Sequence, residues 1–341
     1  MAATKTSVSR RWRSAAVTLL IVCALAPLAY QVLRWAILDA VWRADLTACH
    51  AAAGACWGVV TEKYRLIIFG RYPLESQSRA AWATLLLLGL VVLSGQRRCW
   101  RPWLALAWVA GIALYWALMA GGIAGLEPVA TDRWGGLPLT ILLSSAALAL
   151  AFPLSVLLAL GRRSTLPLVR SVCGLYVELI RSVPLVSVLF IASFMLPLLL
   201  PQEMHVDVLL RVLVCLVLFA AAYLAEVIRG GLQVVPSGQC EAAESLGLSY
   251  WQIQRHVVLP QALRTSLPGI MNNFIATFKD TSLVTIVSLY ELTGASSLAL
   301  NSDADWRPYK LEAMLFVAAI YFLFCFSLSQ FSQRLEHAQI R

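Results

Sequence analysis

Apolar residues along this chain come in blocks of about 20, not in alternating runs of about 10. That is the pattern of membrane-crossing helices rather than barrel strands. Eight blocks stand out: Ser14–Leu33, Ala80–Ser94, Trp103–Ile123, Leu137–Leu160, Val183–Leu200, Val208–Ile228, Leu267–Leu289 and Leu311–Phe331. The pattern predicts an all-α integral membrane protein with about 8 transmembrane helices. Pro197, near the end of the fifth block, is tolerated there if a neighbour satisfies the carbonyl it frees. The first block follows the basic stretch Lys5 to Arg13. It is long for a signal core and no clean A-x-A site follows, so it reads as a retained helix.

Composition agrees. The 341 residues are 60% hydrophobic and 13% charged, with a mean hydropathy of +0.75, whereas soluble domains are about 25% charged. A soluble enzyme is thereby excluded as the leading class, and so is a disordered chain. Lys and Arg number 27 against 18 Asp and Glu, a net +9. In a membrane protein that surplus belongs to cytoplasmic loops and does not point to nucleic acid.

Loop charge also sets orientation. With both termini cytoplasmic, Lys5, Arg10, Arg11, Arg13, Arg97, Arg98, Arg101, Arg162, Arg163, Arg170, Arg181, Arg229, Arg255, Arg264, Arg334 and Arg341 all fall inside, the majority expected by the positive-inside rule. The external loop Arg34–Arg79 carries basic residues against that trend. It also mixes Trp35, Trp42, Trp57, Tyr64 and Phe69 with charges, as an amphipathic segment in the membrane interface would. Cys49 and Cys56 lie in this loop, on the oxidising side. A disulfide is open to them, but in a continuous helix residues seven apart are separated by about 10 Å along the axis, too far to bridge. The 8 Cys and the four His (His50, His205, His256, His337) show no metal-ligand spacing.

The Gly-rich stretch Gly121–Gly136 with Pro128 reads as a boundary. It separates an N-terminal extension (1–125), with three transmembrane helices and the long periplasmic or interfacial loop, from a core (126–341). Within the core, a polar cytoplasmic loop spans 229–265. Gly230, Gly231 and the Pro236-Ser237-Gly238 turn are expected to end the sixth span. Glu241–Leu246 predicts a short helix, with Gly247 at its C′ position. Ser249 and Gln252 form a capping-box pattern for a second short helix, which Pro260 halts or restarts. The expectation is two short helices with a tight joint. Ala242, Ala243, Leu246, Leu248 and Trp251 give them an apolar surface suited to a groove.

These residues resemble a known family. Glu241-Ala242-Ala243, then Gly247, then Leu259-Pro260 is similar to the EAA motif of ABC import permeases. Asn272-Asn273-Phe274 through Phe278-Lys279-Asp280-Thr281-Ser282-Leu283, Tyr176 through Pro184, and Tyr223-Leu224-Ala225-Glu226 with Arg229-Gly230-Gly231 resemble the polar amino-acid subgroup. The three extra spans and Phe69-Gly70-Arg71-Tyr72-Pro73 look like the long M-type subunit of general L-amino acid uptake systems. One departure is Ser182-Val183-Pro184, where the family often has Gly-Thr/Ser-Pro.

The resemblance implies that the last five spans form a type I ABC importer permease core in a bacterial inner membrane. It implies four partners besides the bilayer: a second homologous permease, two ATPase subunits and a periplasmic amino-acid-binding protein. Glu241, Ala242, Ala243, Gly247, Leu259 and Pro260 would couple to the ATPase. The chain binds no cofactor of its own on this reading. None of its Lys follows a P-loop spacing, so ATP and Mg are used by the partner.

Lys279 and Asp280 lie at membrane depth, where a charge costs about 2.5–3.5 kcal/mol, so they should face a cavity or a partner. Asn273, Asp280, Thr281 and Ser282 are expected to line a substrate path, with Asp280 pairing an α-ammonium. Capping of a broken helix is the alternative. Glu178 and Arg181, three apart, are placed for a same-face pair. They join Glu226 and Lys279 as structural or gating polar residues. An ion-gradient-driven secondary carrier is the competing function. It would suit Lys279 and Asp280 but does not need the organised loop. No catalytic motif of an intramembrane enzyme is present.

Overall fold

The computed structural model describes residues 2–99, 101–123, 125–199, 201 and 206–340, the side chains of 2–15, 97 and 336–340 excepted. His205 lies outside these residues. The described elements are helical: α1 (Ala2–Leu33), α2 (Leu46–Ala51), α3 (Gly58–Phe69), α4 (Gln77–Ser94), α5 (Trp103–Ala120), α6 (Gly136–Gly161), α7 (Pro167–Ser182), α8 (Leu185–Phe190), α9 (Leu196–Leu199), α10 (Val208–Val234), α11 (Ser237–Ser245), α12 (Tyr250–Ile253), α13 (Leu259–Asp280), α14 (Leu292–Asn301) and α15 (Lys310–Ile340). Among the described residues six helical segments are long and apolar enough to cross a membrane, or seven if the bent pair α7 with α8–α9 is one span. The expected count was about eight. The difference lies at Leu267–Leu289: α13 ends at Asp280, and the chain tightens into the 3-10 segment Thr281–Val287, leaving by a left-handed Ser288 (φ 65°).

The chain divides into two compact units, Met1–Tyr64 with Leu300–Phe316, and Arg65–Ala299 with Val317–Arg341. In the first, α2 is capped by the Asp45 carboxylate, which accepts from the backbone N–H groups of Thr47 (2.9 Å) and Ala48 (3.2 Å). α2 stops at Ala51, and the chain runs back along residues 35–41, with Ala55 N–H donating to Trp35 O and Val41 N–H to Ala55 O, both 2.8 Å. This return brings the two cysteines to a Cα–Cα distance of 5.4 Å, and they form a disulfide. The continuous helix that would have kept them apart does not exist here. Lys63 pairs with Asp303 at 2.7 Å, and the Cys56 N–H donates to the buried Glu312 carboxylate at 3.1 Å.

In the second unit α6 is the central helix. From Pro138 to Ala147 it is buried on every side, packed against α4, α5 and α10. Its serines and threonine stay inside because each hydroxyl finds a carbonyl one turn back: Ser144 to Thr140 O (2.8 Å), Ser145 to Ile141 O (2.5 Å), Thr140 to Gly136 O (3.1 Å). The Phe69-Gly70-Arg71-Tyr72-Pro73 block is a packed joint. Gly70 (φ +61°) lies so near Gly135 that a Cβ would sit 2.7 Å from its Cα. The buried Tyr72 donates to Met119 O at 2.8 Å and accepts two bonds from Arg79 (3.0 and 2.6 Å). The third arm of Arg79 reaches Glu127 O at 3.0 Å.

One further expectation changes and another is resolved. Gly230 and Gly231 do not end the sixth span; α10 continues to Val234 and stops at Pro236. At Gly231 a Cβ would meet Ser266 Oγ at 2.0 Å and Ala262 O at 2.4 Å, so this glycine permits close crossing of α10 and α13. Of the two roles open to Pro260, halting a helix or restarting one, it takes the second. It sits in the first turn of α13, where no N–H is needed, and helix runs from Tyr250 through a π-helical Gln254–Val258 into α13. Pro197 behaves as anticipated. It cannot donate to Ser193 O, and Arg211 Nη1 occupies that carbonyl at 2.6 Å.

Candidate functional site

Three groups of polar or exposed residues are built into the second unit. The first is the loop between α10 and α13. α11 ends at Ser245, and Gly247 takes φ +75° with open space around it, the backbone state that favours glycine. The capping box at Ser249 is present, with the Ser249 N–H donating to Gln252 Oε1 at 2.8 Å. Ala243, Ile253 and Val258 are buried in one apolar cluster with Leu232 of α10 and Ala262 of α13. The loop is therefore rooted in both long helices and is not free to swing. Of the two alanines only Ala242 is exposed; Ala243 packs inside its own chain. Glu241 is exposed as well. Beside them Leu246 is 80% and Trp251 67% exposed, a large apolar tip that no residue of this chain covers among those described. Leu259 is half-buried and Pro260 exposed at the start of α13.

The second group is a cleft of about 270 Å³ lined by Leu185, Phe219, Ala220, Tyr223, Asn273, Ala276, Thr277 and Asp280. Four of these lie on one side of α13 over about two turns, so Asn273 and Asp280 open onto the same space. The Asn273 amide donates back to Gly269 O at 3.0 Å, which fixes its carbonyl oxygen outward. Thr281 and Ser282 do not line the cleft. Thr281 is buried, with its hydroxyl on Phe278 O at 2.8 Å, and Ser282 is half-buried in the 3-10 turn. Lys279 is exposed on another face of α13. It shares that face with Gln261, Thr265 and Asn272, a polar stripe that lipid would not solvate.

The third group lies near the C-terminal ends of α6, α7 and α10. Glu226 takes ion pairs from Arg162, Arg229 and Arg181, the last at 3.4 Å. Glu178 pairs with Arg162 at 3.3 Å. Glu178 and Arg181 thus each find a partner on another helix. Sequence spacing had pointed to the pair within α7, and Arg162 drew no attention; the adjacent Arg162-Arg163 at a helix end was the available signal. The Arg181 guanidinium also lies 5.5 Å from the Tyr223 ring centroid, within reach of a cation–π contact. Tyr223 therefore connects the ion-pair cluster to the wall of the cleft.

A buried carboxylate that the sequence did not single out, Glu291, caps α14. It accepts from Thr293 N–H (2.9 Å), Gly294 N–H (2.9 Å), Thr285 Oγ1 (2.8 Å) and Tyr321 OH (2.8 Å). Its charge is met by the positive end of the helix.

Comparison with known proteins fits this geometry. Residues 151–341 match the family described as binding-protein-dependent transport system inner membrane component. The inner membrane amino-acid ABC transporter permease protein YhdY of Escherichia coli is 42% identical over 333 residues, covering 95% of this chain and 89% of that protein. The glutamate/glutamine/aspartate/asparagine transport system permease protein BztC of Rhodobacter capsulatus is 36% identical over 88% of this chain and 85% of its own length. Among solved structures, the crystal structure of an amino acid ABC transporter with histidines superposes with a TM-score of 0.53 at 28% identity, covering 60% of this chain and 92% of that one.

Proposed function

This chain belongs to the family of binding-protein-dependent transport system inner membrane components, and on that premise we propose that it is the permease subunit of an ATP-driven importer for L-amino acids. The observation that carries the coupling part is the rooted loop. Its tip exposes Leu246, Tyr250 and Trp251, while its base shares a core with α10 and α13. A partner that grips the tip moves both helices, and those helices supply Phe219, Tyr223, Asn273 and Asp280 to the cleft. Two ATPase subunits are the partners such a tip fits, with ATP and Mg used there. Glu241, Ala242, Gly247, Leu259 and Pro260 then belong to the coupling surface or its joints.

On this reading a second, homologous permease covers the polar stripe of α13 that holds Lys279, and a periplasmic binding protein delivers the amino acid. Asp280 offers a carboxylate to the α-ammonium, in a cleft where a charge-assisted bond is strong. Thr281 and Ser282 shape the end of α13 behind it. Glu226, with Arg162, Arg181 and Arg229, holds the inner ends of three helices together and acts as the gate-side brace for Tyr223. A disulfide between Cys49 and Cys56 belongs to an oxidising compartment, which supports a periplasmic Arg34–Arg79 loop with both termini in the cytoplasm of a bacterial inner membrane.

The test is uptake of a labelled amino-acid panel by vesicles with ATP inside, with and without the partner subunits, comparing wild type with Gly247→Pro and Trp251→Ala. Uptake that needs ATP and the partners, and is lost in both variants while the importer still inserts, is the expected result. Transport by this chain alone along an ion gradient, indifferent to ATP and to both substitutions, would overturn it in favour of a secondary carrier.

A further inference from the structure

Helix α7 poses a geometric problem. It is 16 residues long and follows Arg162 and Arg163. At Pro184 the chain turns by 100° into the uncharged apolar leg Leu185–Leu199. If that leg is inserted in the bilayer, α7 lies across it, close to the membrane plane.

Its residues sort into three arcs. Leu168, Val172, Leu175 and Leu179 follow a 4-3-4 spacing and fall within an arc of about 60°. All four are exposed, Leu168 at 76% and Leu175 at 66%. A second arc, Cys173, Tyr176, Val177 and Ile180, is partly or fully buried on the side that packs against α6 and α10. The third holds Arg170, Ser171, Gly174, Glu178, Arg181 and Ser182.

Contacts with α10 give the helix its rotation. The Tyr176 hydroxyl donates to Leu218 O at 2.7 Å, whereas Arg181 reaches Glu226. Those two acceptors are eight residues apart along α10, about 12 Å of rise, although the donors are only five apart on α7. A helix lying across α10 meets both only if Tyr176 points toward the membrane interior and Arg181 toward the cytoplasm. The exposed leucine arc lies next to Tyr176 and away from Arg181, so it too points into the membrane.

We infer that α7 is a membrane-surface helix of the inner leaflet. Its leucine arc is sunk among lipid acyl chains, and Arg163 and Arg170 lie at the level of anionic headgroups. An in-plane helix with one apolar arc, one polar arc and basic residues at its edge is the arrangement that binds such a surface. Lipid is the occupant that the bend and the charge both select. The neighbouring permease is the competing one. The inference goes beyond the assignment of cargo and does not depend on which amino acid is carried.

Photo-crosslinking in membranes containing the complete transporter tests it. Benzoylphenylalanine is placed singly at Val172 and Leu175 on the leucine arc, at Ser171 on the polar arc, and at the exposed Leu106 of α5 as a control. After illumination, adducts are identified by mass spectrometry and by gel mobility. Phospholipid adducts at 172 and 175, at least fivefold above those at 171, are the expected result. A polypeptide adduct at 172 or 175, equal lipid labelling of both arcs, or no lipid adduct at 172 and 175 while the Leu106 site gives one, overturns the inference.

Discussion

Gly230 and Gly231 are adjacent and chemically identical, yet alanine at each should act in opposite directions. At Gly231 the new Cβ would lie 2.0 Å from Ser266 Oγ and 2.4 Å from Ala262 O, the second a backbone atom. Ordinary contact near 3.5 Å returns only if α10 and α13 part by about 1 Å. Ser266 would also have to give up its bond to Val227 O, now 3.1 Å. Overpacking of this kind costs about 1–3 kcal/mol, and the lost bond adds about 1 kcal/mol. The helix gain from Gly to Ala, about 0.5–1 kcal/mol, does not offset that. At Gly230 a Cβ meets nothing within 4 Å, so only the gain remains. Thermal unfolding of the detergent-solubilised protein, followed by tryptophan fluorescence, should show a lower midpoint for Gly231→Ala and an unchanged or higher one for Gly230→Ala. The crossing adjoins the loop between α10 and α13, so Gly231→Ala should also reduce uptake. Equal midpoints for the two variants would refute the close-crossing account.

Three other outcomes are expected. Glu226→Gln should destabilise the chain more than Glu178→Gln, because Glu226 bridges three guanidiniums and Glu178 makes one contact from a 71% exposed side chain; comparison of the two unfolding midpoints checks this, and equal effects would show that the cluster is not cooperative. Arg211→Met should leave Ser193 O unpaired at a cost of about 1–3 kcal/mol, and the cost should shrink in a Pro197→Ala background, where residue 197 regains its own donor; a double-mutant cycle with no coupling would reject that pairing. Alkylation of the untreated protein followed by mass spectrometry should find Cys49 and Cys56 protected, and Cys49→Ala with Cys56→Ala should loosen the first unit by about 2–3 kcal/mol in the chain-entropy model, read as faster proteolysis within residues 39–64.

The apolar blocks were legible because lipid demands about 20 apolar residues per crossing, and six of the eight predicted segments correspond to long helices. Two differ in form: the block Val183–Leu200 is a shorter leg, Leu185–Leu199, set at 100° to α7 by the bend at Pro184, and α13 ends at Asp280 before the predicted Leu267–Leu289 span is complete. The loop was legible in detail, down to the Ser249 capping box and the left-handed Gly247, because caps and glycine joints are local. Gly230 and Gly231 were misread as a stop because a glycine that ends a helix and one that admits a neighbouring helix are identical in sequence. The disulfide was disfavoured on the premise of a single helix, which the turn after Ala51 removes. Asn273 and Asp280 proved to share a cleft; Thr281 and Ser282, on the same sequence block, do not. Of the partners of Glu226, Arg229 is legible three residues on along the same helix, whereas Arg162 is 64 residues away in sequence and Arg181 lies on another helix.

The first unit is a cap built from two stretches far apart in the chain, Met1–Tyr64 and Leu300–Phe316. Lys63 waits for Asp303, 240 residues later, and Cys56 for Glu312, 256 residues later. At about 5–20 residues per second the ribosome needs about 12–50 s to supply that second half. Throughout this interval the early half emerges with its ion-pairing and hydrogen-bonding partners still unmade. The Cys49–Cys56 bond is different, because both of its members are translated within seven residues of each other. Biogenesis therefore has a natural order: oxidation shapes the loop first, and completion of the final helix closes it. The bond acts as a placeholder that keeps a half-built cap in register until the end of the chain arrives.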